Sequence, residues 1–324
     1  MAKKIVVVTE TVHEDGLRVF ERSGEVDVVL IEGSSPEIAL DELVKDMSAV
    51  MVRVARIDRR MIRDAHSLKA IAKHGVGYDN IDVKAATERR IAVTFTPGAN
   101  AHSVAEHAVG MMLALSKKLC SSHMALKTGT FKRKEDFTGV ELWRKTVGII
   151  GLGRIGSELA RKCRNGFEMK IVAFDPFVGA DASEHTGVEL VSDLDELLKL
   201  SDVVSINCPL TSQTRNLISE DELKLMKKTA YIVNTSRGGI IDEDALYEAL
   251  AGGWIAGAAL DVFAKEPPTM HNPLLQLDSV VVSSHTGGVT EEAMSRMATM
   301  AAEDILRVLA GERPEHLINP EIYE

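Results

Sequence analysis

A chain of 324 residues with 45% hydrophobic and 27% charged side chains has the composition of a folded, soluble protein, and at roughly 100–200 residues per domain it is long enough for two. The 48 acidic against 38 basic residues leave a formal charge of −10, which argues against duplex nucleic acid or an anionic membrane as a partner. Three cysteines, Cys120, Cys163 and Cys208, lack metal-ligand spacing, and so few thiols point to a reducing, cytoplasmic compartment and no bound metal.

The opening MAKKIVVVTE meets an acidic residue at once and has no small-residue cleavage site. It reads as a buried strand rather than a signal peptide, with the mature chain starting near Met1. No apolar run approaches the ~20 residues of a bilayer span. Through the first hundred residues the runs KIVVV, VDVVLI, AVMVRV, KAIAK and IAVTF alternate with helical patterns that begin near Glu14, Pro36, Arg59 and Val83. That alternation is the pattern of βα units on a parallel sheet.

The segment TPGAN turns the chain,. Ser103 then stands three residues before Glu106 at the head of an apolar run, which predicts a capping box and a long helix starting near Ser103. Val104, Ala108, Val109, Met111, Met112 and Leu115 leave that helix little polar surface, so burial between domains or subunits is expected, and with it a homo-oligomer. Beyond the basic stretch of Lys132, Arg133 and Lys134 a second series follows: TVGII, KIVAF, DVVSIN, AYIVNT, IAGAALDV and SVVVSS. Two such series predict an α/β protein of two doubly wound parallel-sheet domains. The last helix, EEAMSRMATMAAEDILRVLAG, carries Met294, Met297 and Ala301 at core spacing; periodicity leaves open which domain it joins.

The strongest local motif is Gly151-Leu152-Gly153-Arg154-Ile155-Gly156, placed between a strand and a helical stretch. This is the context a dinucleotide loop requires, with glycines that let a helix N-terminus approach a pyrophosphate. Gly151, Gly153, Arg154, Ile155 and Gly156 are therefore the expected cofactor contacts. Asp175 closes the next strand about 20 residues on, where a carboxylate accepts ribose hydroxyls and repels a 2′-phosphate. No Lys or Arg follows it closely, so NAD is favoured over NADP.

Open α/β sheets bind ligands beyond the carboxyl ends of their strands. Unusual residues collect there: Cys208-Pro209, Thr235-Ser236-Arg237-Gly238-Gly239, Asp261, and His285-Thr286-Gly287-Gly288. Reduction of a 2-oxo acid needs a proton donor titrating near neutrality, for which His285 is the candidate. Glu266, in DVFAKEPP, would hold the tautomer of that imidazole and raise its pKa if the two strand ends are neighbours. Arg237 suits a substrate carboxylate. In the first half, Arg53, His74 and Asn100 lie at or just after strand ends, where a guanidinium could hold a second anionic group and an imidazole could bond a substrate hydroxyl or carboxylate. Arg56, Arg59, Arg60 and Arg63 are spread round a helix and are expected in solvent.

Taken together, HGVGYDNID, TPGANAHSVAEHA, KTVGIIGLGRIG, NTSRGGIIDEDAL, GAALDVFAKEPP and SSHTGG make the chain resemble the D-isomer-specific 2-hydroxyacid dehydrogenases over essentially its whole length. The nearest branch is D-3-phosphoglycerate dehydrogenase-like, in a short form without a regulatory domain. The resemblance implies a flavodoxin-like substrate domain of residues 1–100 plus 290–324, a Rossmann NAD domain of residues 101–289, and a cleft between them. It implies Arg237, Glu266 and His285 as the catalytic set, with Cys208, Thr235 and Asp261 around the nicotinamide; Pro209 and Gly287, at the same strand ends, are taken with them. It further implies that the backbone amides of Val76 and Gly77 bind the substrate carboxylate, and that the protein is a homodimer. Ser284 stands where the family often has proline before the catalytic histidine, which loosens the expected placement of the imidazole. The small anionic substrate stays open among 3-phosphoglycerate, glycerate with hydroxypyruvate, glyoxylate and an unphosphorylated sugar acid. The rival readings are a phosphite or formate dehydrogenase on the same scaffold and an NAD-sensing, corepressor-like binding protein.

Overall fold

Five parallel strands, β1 (Lys4–Val8), β2 (Val26–Leu30), β3 (Met47–Val52), β4 (Ala70–Lys73) and β5 (Ala92–Thr94), form one sheet in the order β2-β1-β3-β4-β5. The computed structural model describes residues 3–31, 36–179 and 187–324, and the chain divides into two units, residues 1–100 with 289–324 and residues 101–288. In the first unit Val6, Val7 and Val8 are all fully buried, because helices cover both faces of the sheet and every side chain of a central strand meets a core. Each such burial contributes on the order of 1.5–3 kcal/mol. The helices α1 (Glu14–Ser23), α2 (Pro36–Leu43), α3 (Arg59–Asp64) and α4 (Val83–Glu88) connect these strands. Asp58 and Asp82 cap α3 and α4 by accepting the amides of Met61 and Ala85 at 2.9 and 2.8 Å,.

The second unit opens with α5 (Ala101–Ser116) and α6 (Leu119–Lys127). It continues through β6 (Thr146–Ile150), α7 (Arg154–Phe167), β7 (Lys170–Phe174), β8 (Glu189–Leu190), α8 (Leu194–Leu200), β9 (Val203–Ile206), α9 (Glu220–Leu225), β10 (Tyr231–Asn234), α10 (Glu243–Ala251), β11 (Gly257–Leu260) and β12 (Val280–Val282). Its sheet runs β12-β11-β10-β9-β6-β7-β8, parallel throughout. The order reverses at β6, so β6 and β9 flank a topological switch point, the position at which such sheets take ligands. The helix α11 (Glu291–Ala310) packs Ala301, Ala302, Ile305 and Leu309 on Val6, Val8 and Ala49 of the first sheet. That contact answers what its periodicity left open.

Several sequence expectations need correction. The helix expected from Ser103 begins at Ala101, and Ser103 is buried within it. Its supposed capping partner Glu106 is exposed and pairs instead with Lys162 on α7 at 2.8 Å. Packing of Ala101, Val104, Ala105 and Ala108 into the core extends the helix past the local capping signal. The run AVMVRV pairs as Met47–Val52, which leaves Arg53 beyond the strand. SVVVSS pairs only over Val280–Val282, at the edge of its sheet. The two-residue strand β8 is too short to leave a periodicity in the sequence. The basic run behaves as expected: Arg59, Arg60 and Arg63 are exposed and paired with Glu88, Asp41 and Asp64.

Candidate active site

At the switch point the three glycines of the loop after β6 have three different jobs. Gly151 takes a left-handed backbone, φ +92°, and a Cβ there would lie 2.9 Å from the backbone of Asn207 and Cys208 after β9. Gly156 is pressed so close that its Cβ would stand 2.2 Å from the Gly151 carbonyl oxygen. Gly153, at the N-cap of α7 with no side-chain cap, has no protein atom within 4 Å of a Cβ position. The open space lies at the N-terminus of a 14-residue helix whose first amides have no intrahelical acceptor,. Arg154 is exposed and Ile155 half-buried at this end.

Asp175, just past β7, accepts the amide of Leu152 through Oδ2 at 2.8 Å and that of Phe177 through Oδ1 at 2.9 Å. It thereby ties the glycine loop to the neighbouring strand end and retains lone pairs for two hydroxyls. Across the switch point, Cys208 is half-buried and Pro209 exposed. Burial, with the charge of Asp175, pushes the Cys208 thiol up to about 11, so it stays a neutral, apolar surface. Thr235 Oγ1 and Asn207 Oδ1 are buried without a hydrogen-bond partner. Unspent polar atoms at the ends of β9 and β10, together with the open cradle at Gly153, fit a bound dinucleotide.

His285 follows β12 in a left-handed conformation, φ +55°. Its Nδ1 lies 2.8 Å from Glu266 Oε2, while Glu266 Oε1 accepts the Phe263 amide at 3.0 Å. Burial raises the Glu266 carboxyl, but the hydrogen bond and charge of His285, the Phe263 amide and the charge of Arg237 outweigh it and hold the group below the ordinary carboxylate range. An ionised Glu266 can only accept, so His285 Nδ1 carries the proton and donates, leaving Nε2 free. Arg237 is half-buried in the loop after β10, its Nη1 bonding the Ser236 carbonyl at 2.7 Å and its own carbonyl accepting Asn234 Nδ2 at 2.9 Å.

Asp261 ends β11 and is 2% exposed. Its carboxylate accepts the Ser283 hydroxyl at 2.6 Å and the amides of Thr286 and Gly287 at 2.9 Å each, with His107 Nε2 3.4 Å away. Burial works against the charge, yet these donors pull the Asp261 carboxyl down to about 2.

In the first unit, Arg53 is half-buried just past β3 and His74 is buried just past β4. Neither His74 nitrogen finds a hydrogen-bond partner. Burial, then the Arg53 charge, push the imidazole down to about 4, so it is neutral. The Val76 and Gly77 amides donate to no protein acceptor among the described residues. Asn100 Oδ1 is buried and unpartnered immediately before α5. Two residues that the sequence did not mark belong to this set. Glu10 accepts the amides of Arg53, Val54 and Ala55 at 2.9, 2.9 and 2.7 Å. Lys73, buried at the end of β4, donates to the Arg53 carbonyl and to Asn80 at 2.6 and 2.7 Å. A carboxylate two residues past one strand and an ammonium on the last residue of another were the available signal.

Residues 109–287 match the model of the D-isomer specific 2-hydroxyacid dehydrogenase, NAD binding domain. The chain is 45% identical to the D-3-phosphoglycerate dehydrogenase of Methanocaldococcus jannaschii, over 97% of this chain and 59% of that longer protein. It is 40% identical to the glyoxylate reductase of Korarchaeum cryptofilum, over 99% of this chain and 97% of the relative. Among solved structures, the TT0316 protein from Thermus thermophilus superimposes with a TM-score of 0.89 at 34% identity, covering 97% and 99% of the two chains.

Proposed function

The chain belongs to the D-isomer-specific 2-hydroxyacid dehydrogenase family, and from that premise we propose that it transfers hydride between NAD and a small D-2-hydroxy acid and its 2-oxo partner. The observation that supports this most is the Glu266–His285 pair at 2.8 Å, which leaves Nε2 free to give or take a proton,. NADH, when bound, would supply the hydride. As negative charge develops on the substrate oxygen, His285 donates a proton from Nε2, and the charge on its imidazolium beforehand is stabilised by Glu266. Arg237 anchors the carboxylate next to the reacting carbon, helped by the amides of Val76 and Gly77. The α7 N-terminus with Gly151, Gly153, Arg154, Ile155 and Gly156 would hold the pyrophosphate, and Asp175 the ribose. Cys208, Pro209, Thr235, Asp261 and Gly287 would border the nicotinamide.

Arg53, with His74 and Asn100, favours an acid that carries a second anionic group, of the 3-phosphoglycerate kind, over glyoxylate, which has none. We place the protein in the cytoplasm as a homodimer. Three free cysteines fit the compartment. The exposed apolar side chains Leu119, Met124, Leu126, Phe131, Val140 and Trp143 fit a self-association surface,. NADH oxidation across phosphohydroxypyruvate, hydroxypyruvate and glyoxylate tests the reading. The expected result is the highest kcat/KM on phosphohydroxypyruvate, reduced at least about tenfold by Arg53→Ala. Activity confined to formate or phosphite oxidation would refute the reaction class, and a preference for glyoxylate would refute the substrate.

A further inference from the structure

Building on the hydride-transfer reading, we propose that His107 and Ser283 are positioning residues: together they hold the Asp261 carboxylate in the orientation that fixes the backbone of the His285 loop. Three consecutive amides converge on Asp261. The His285 amide donates to its backbone carbonyl at 2.8 Å, the Thr286 amide to Oδ1 and the Gly287 amide to Oδ2, both at 2.9 Å. This arrangement holds His285 at φ +55°, a conformation that a residue with a side chain keeps only where its surroundings over-determine it. The carboxylate of Asp261 is thus the template on which the proton donor is mounted.

A count of protons shows what aims the template. Asp261 is ionised and can only accept. The single Ser283 hydroxyl proton goes to Asp261 Oδ1 at 2.6 Å. The 2.8 Å contact between Ser283 Oγ and His107 Nε2 must then be donated by the histidine, which fixes the proton on Nε2. His107 Nε2 donates to Ser283 and Ser283 to Asp261, each bond polarising the next, and the same nitrogen stands 3.4 Å from Asp261 Oδ1,. The helix α5 presents this donor rigidly. Met111, one turn beyond His107, brings its sulfur to 3.9 Å from the Ser283 hydroxyl, so the serine is flanked by an i, i+4 pair,. The imidazole also lies along Gly287, where a Cβ would stand 3.4 Å from His107 Cδ2.

The test uses the full chain with Ser283→Ala, His107→Ala, the double variant and His107→Gln, whose amide nitrogen can donate the same bond. Hydrogen exchange of the 285–287 amides is followed by mass spectrometry, and kcat, KM and NADH affinity are measured on the best 2-oxo acid. We expect exchange at the loop to quicken and kcat to fall about tenfold in both alanine variants, the scale of one lost hydrogen bond to a charged acceptor. KM and NADH affinity should stay within about twofold, because Arg237, Asp175 and the glycine loop after β6, which anchor the substrate carboxylate, ribose and pyrophosphate, are untouched. The double variant should fall short of the product of the two single effects, as residues in one hydrogen-bonded network are not additive, and His107→Gln should recover most of the rate. Unchanged exchange in both alanine variants overturns the proposal. So do multiplying effects in the double variant, a glutamine no better than alanine, or quickened exchange with kcat intact. A wild-type protein inactive on every 2-oxo acid overturns the hydride-transfer reading instead, and the exchange data still decide whether His107 and Ser283 hold the loop.

Discussion

Asp261 makes a quantitative prediction about acid stability. Its carboxyl is drawn from 3.8 to about 2 in the folded protein, and a depressed carboxylate adds stability above its unfolded pKa that is lost as pH falls through the folded one. At 1.36 kcal/mol per unit, the group contributes about 2.4 kcal/mol above pH 5. About 1 kcal/mol of that is gone by pH 3 and about 2 kcal/mol by pH 2. Because the side chain is almost wholly buried, solvent screening takes little from this figure. Other carboxylates titrate in the same window, so the measurement is a difference: urea unfolding of wild type and Asp261→Asn between pH 6 and pH 3. Trp143 and Trp254, the chain's two tryptophans, both lie in the unit of residues 101–288, and their fluorescence reports the unit that holds Asp261. The asparagine sets an amide against donors and lowers stability at every pH, which cancels from the slope. Wild type should lose about 1 kcal/mol more than the variant across that range. Parallel curves would refute the assignment of a strongly held charge to Asp261.

The glycine loop separates folding from binding. Gly156→Ala drives a Cβ to 2.2 Å from the Gly151 carbonyl oxygen and should cost about 1–3 kcal/mol of stability, seen as a lower Tm. Gly153→Ala meets no protein atom within 4 Å. It should leave Tm unchanged while weakening NADH binding at least about tenfold, since the added methyl group occupies the phosphate approach; wild-type affinity there would remove the loop from that role. Asp175→Ala deletes the acceptor of the Leu152 amide. The NADPH to NADH ratio of kcat/KM should rise about tenfold as the carboxylate no longer repels a 2′-phosphate, and an unchanged ratio would assign Asp175 a purely structural role.

Much of the fold was legible because its signals are local. The runs KIVVV and TVGII are continuous and apolar since parallel strands are covered on both faces,. The helices α1 to α4 start at Glu14, Pro36, Arg59 and Val83, where turn residues and amphipathic spacing place them. The Ser103 capping pattern is the exception. It too is local, and the burial of Ala101, Val104 and Ala105 overrode it,. Within the site, the glycine motif and Asp175 could be read from spacing along one βαβ unit.

The amino-acid sequence by itself determined the α/β class, the dinucleotide turn and the candidate residues at the strand ends, because those depend on neighbours within about 30 residues. Only the tertiary structure decided what those residues touch. His107 and Ser283 are separated by 176 positions, and Asp261 meets both only because β11 and β12 lie side by side with α5 packed against them. Hydrogen-bond partners are chosen by distance in space, and the three amides on Asp261, the left-handed His285 and the orphaned His74 have no counterpart in any spacing along the chain,.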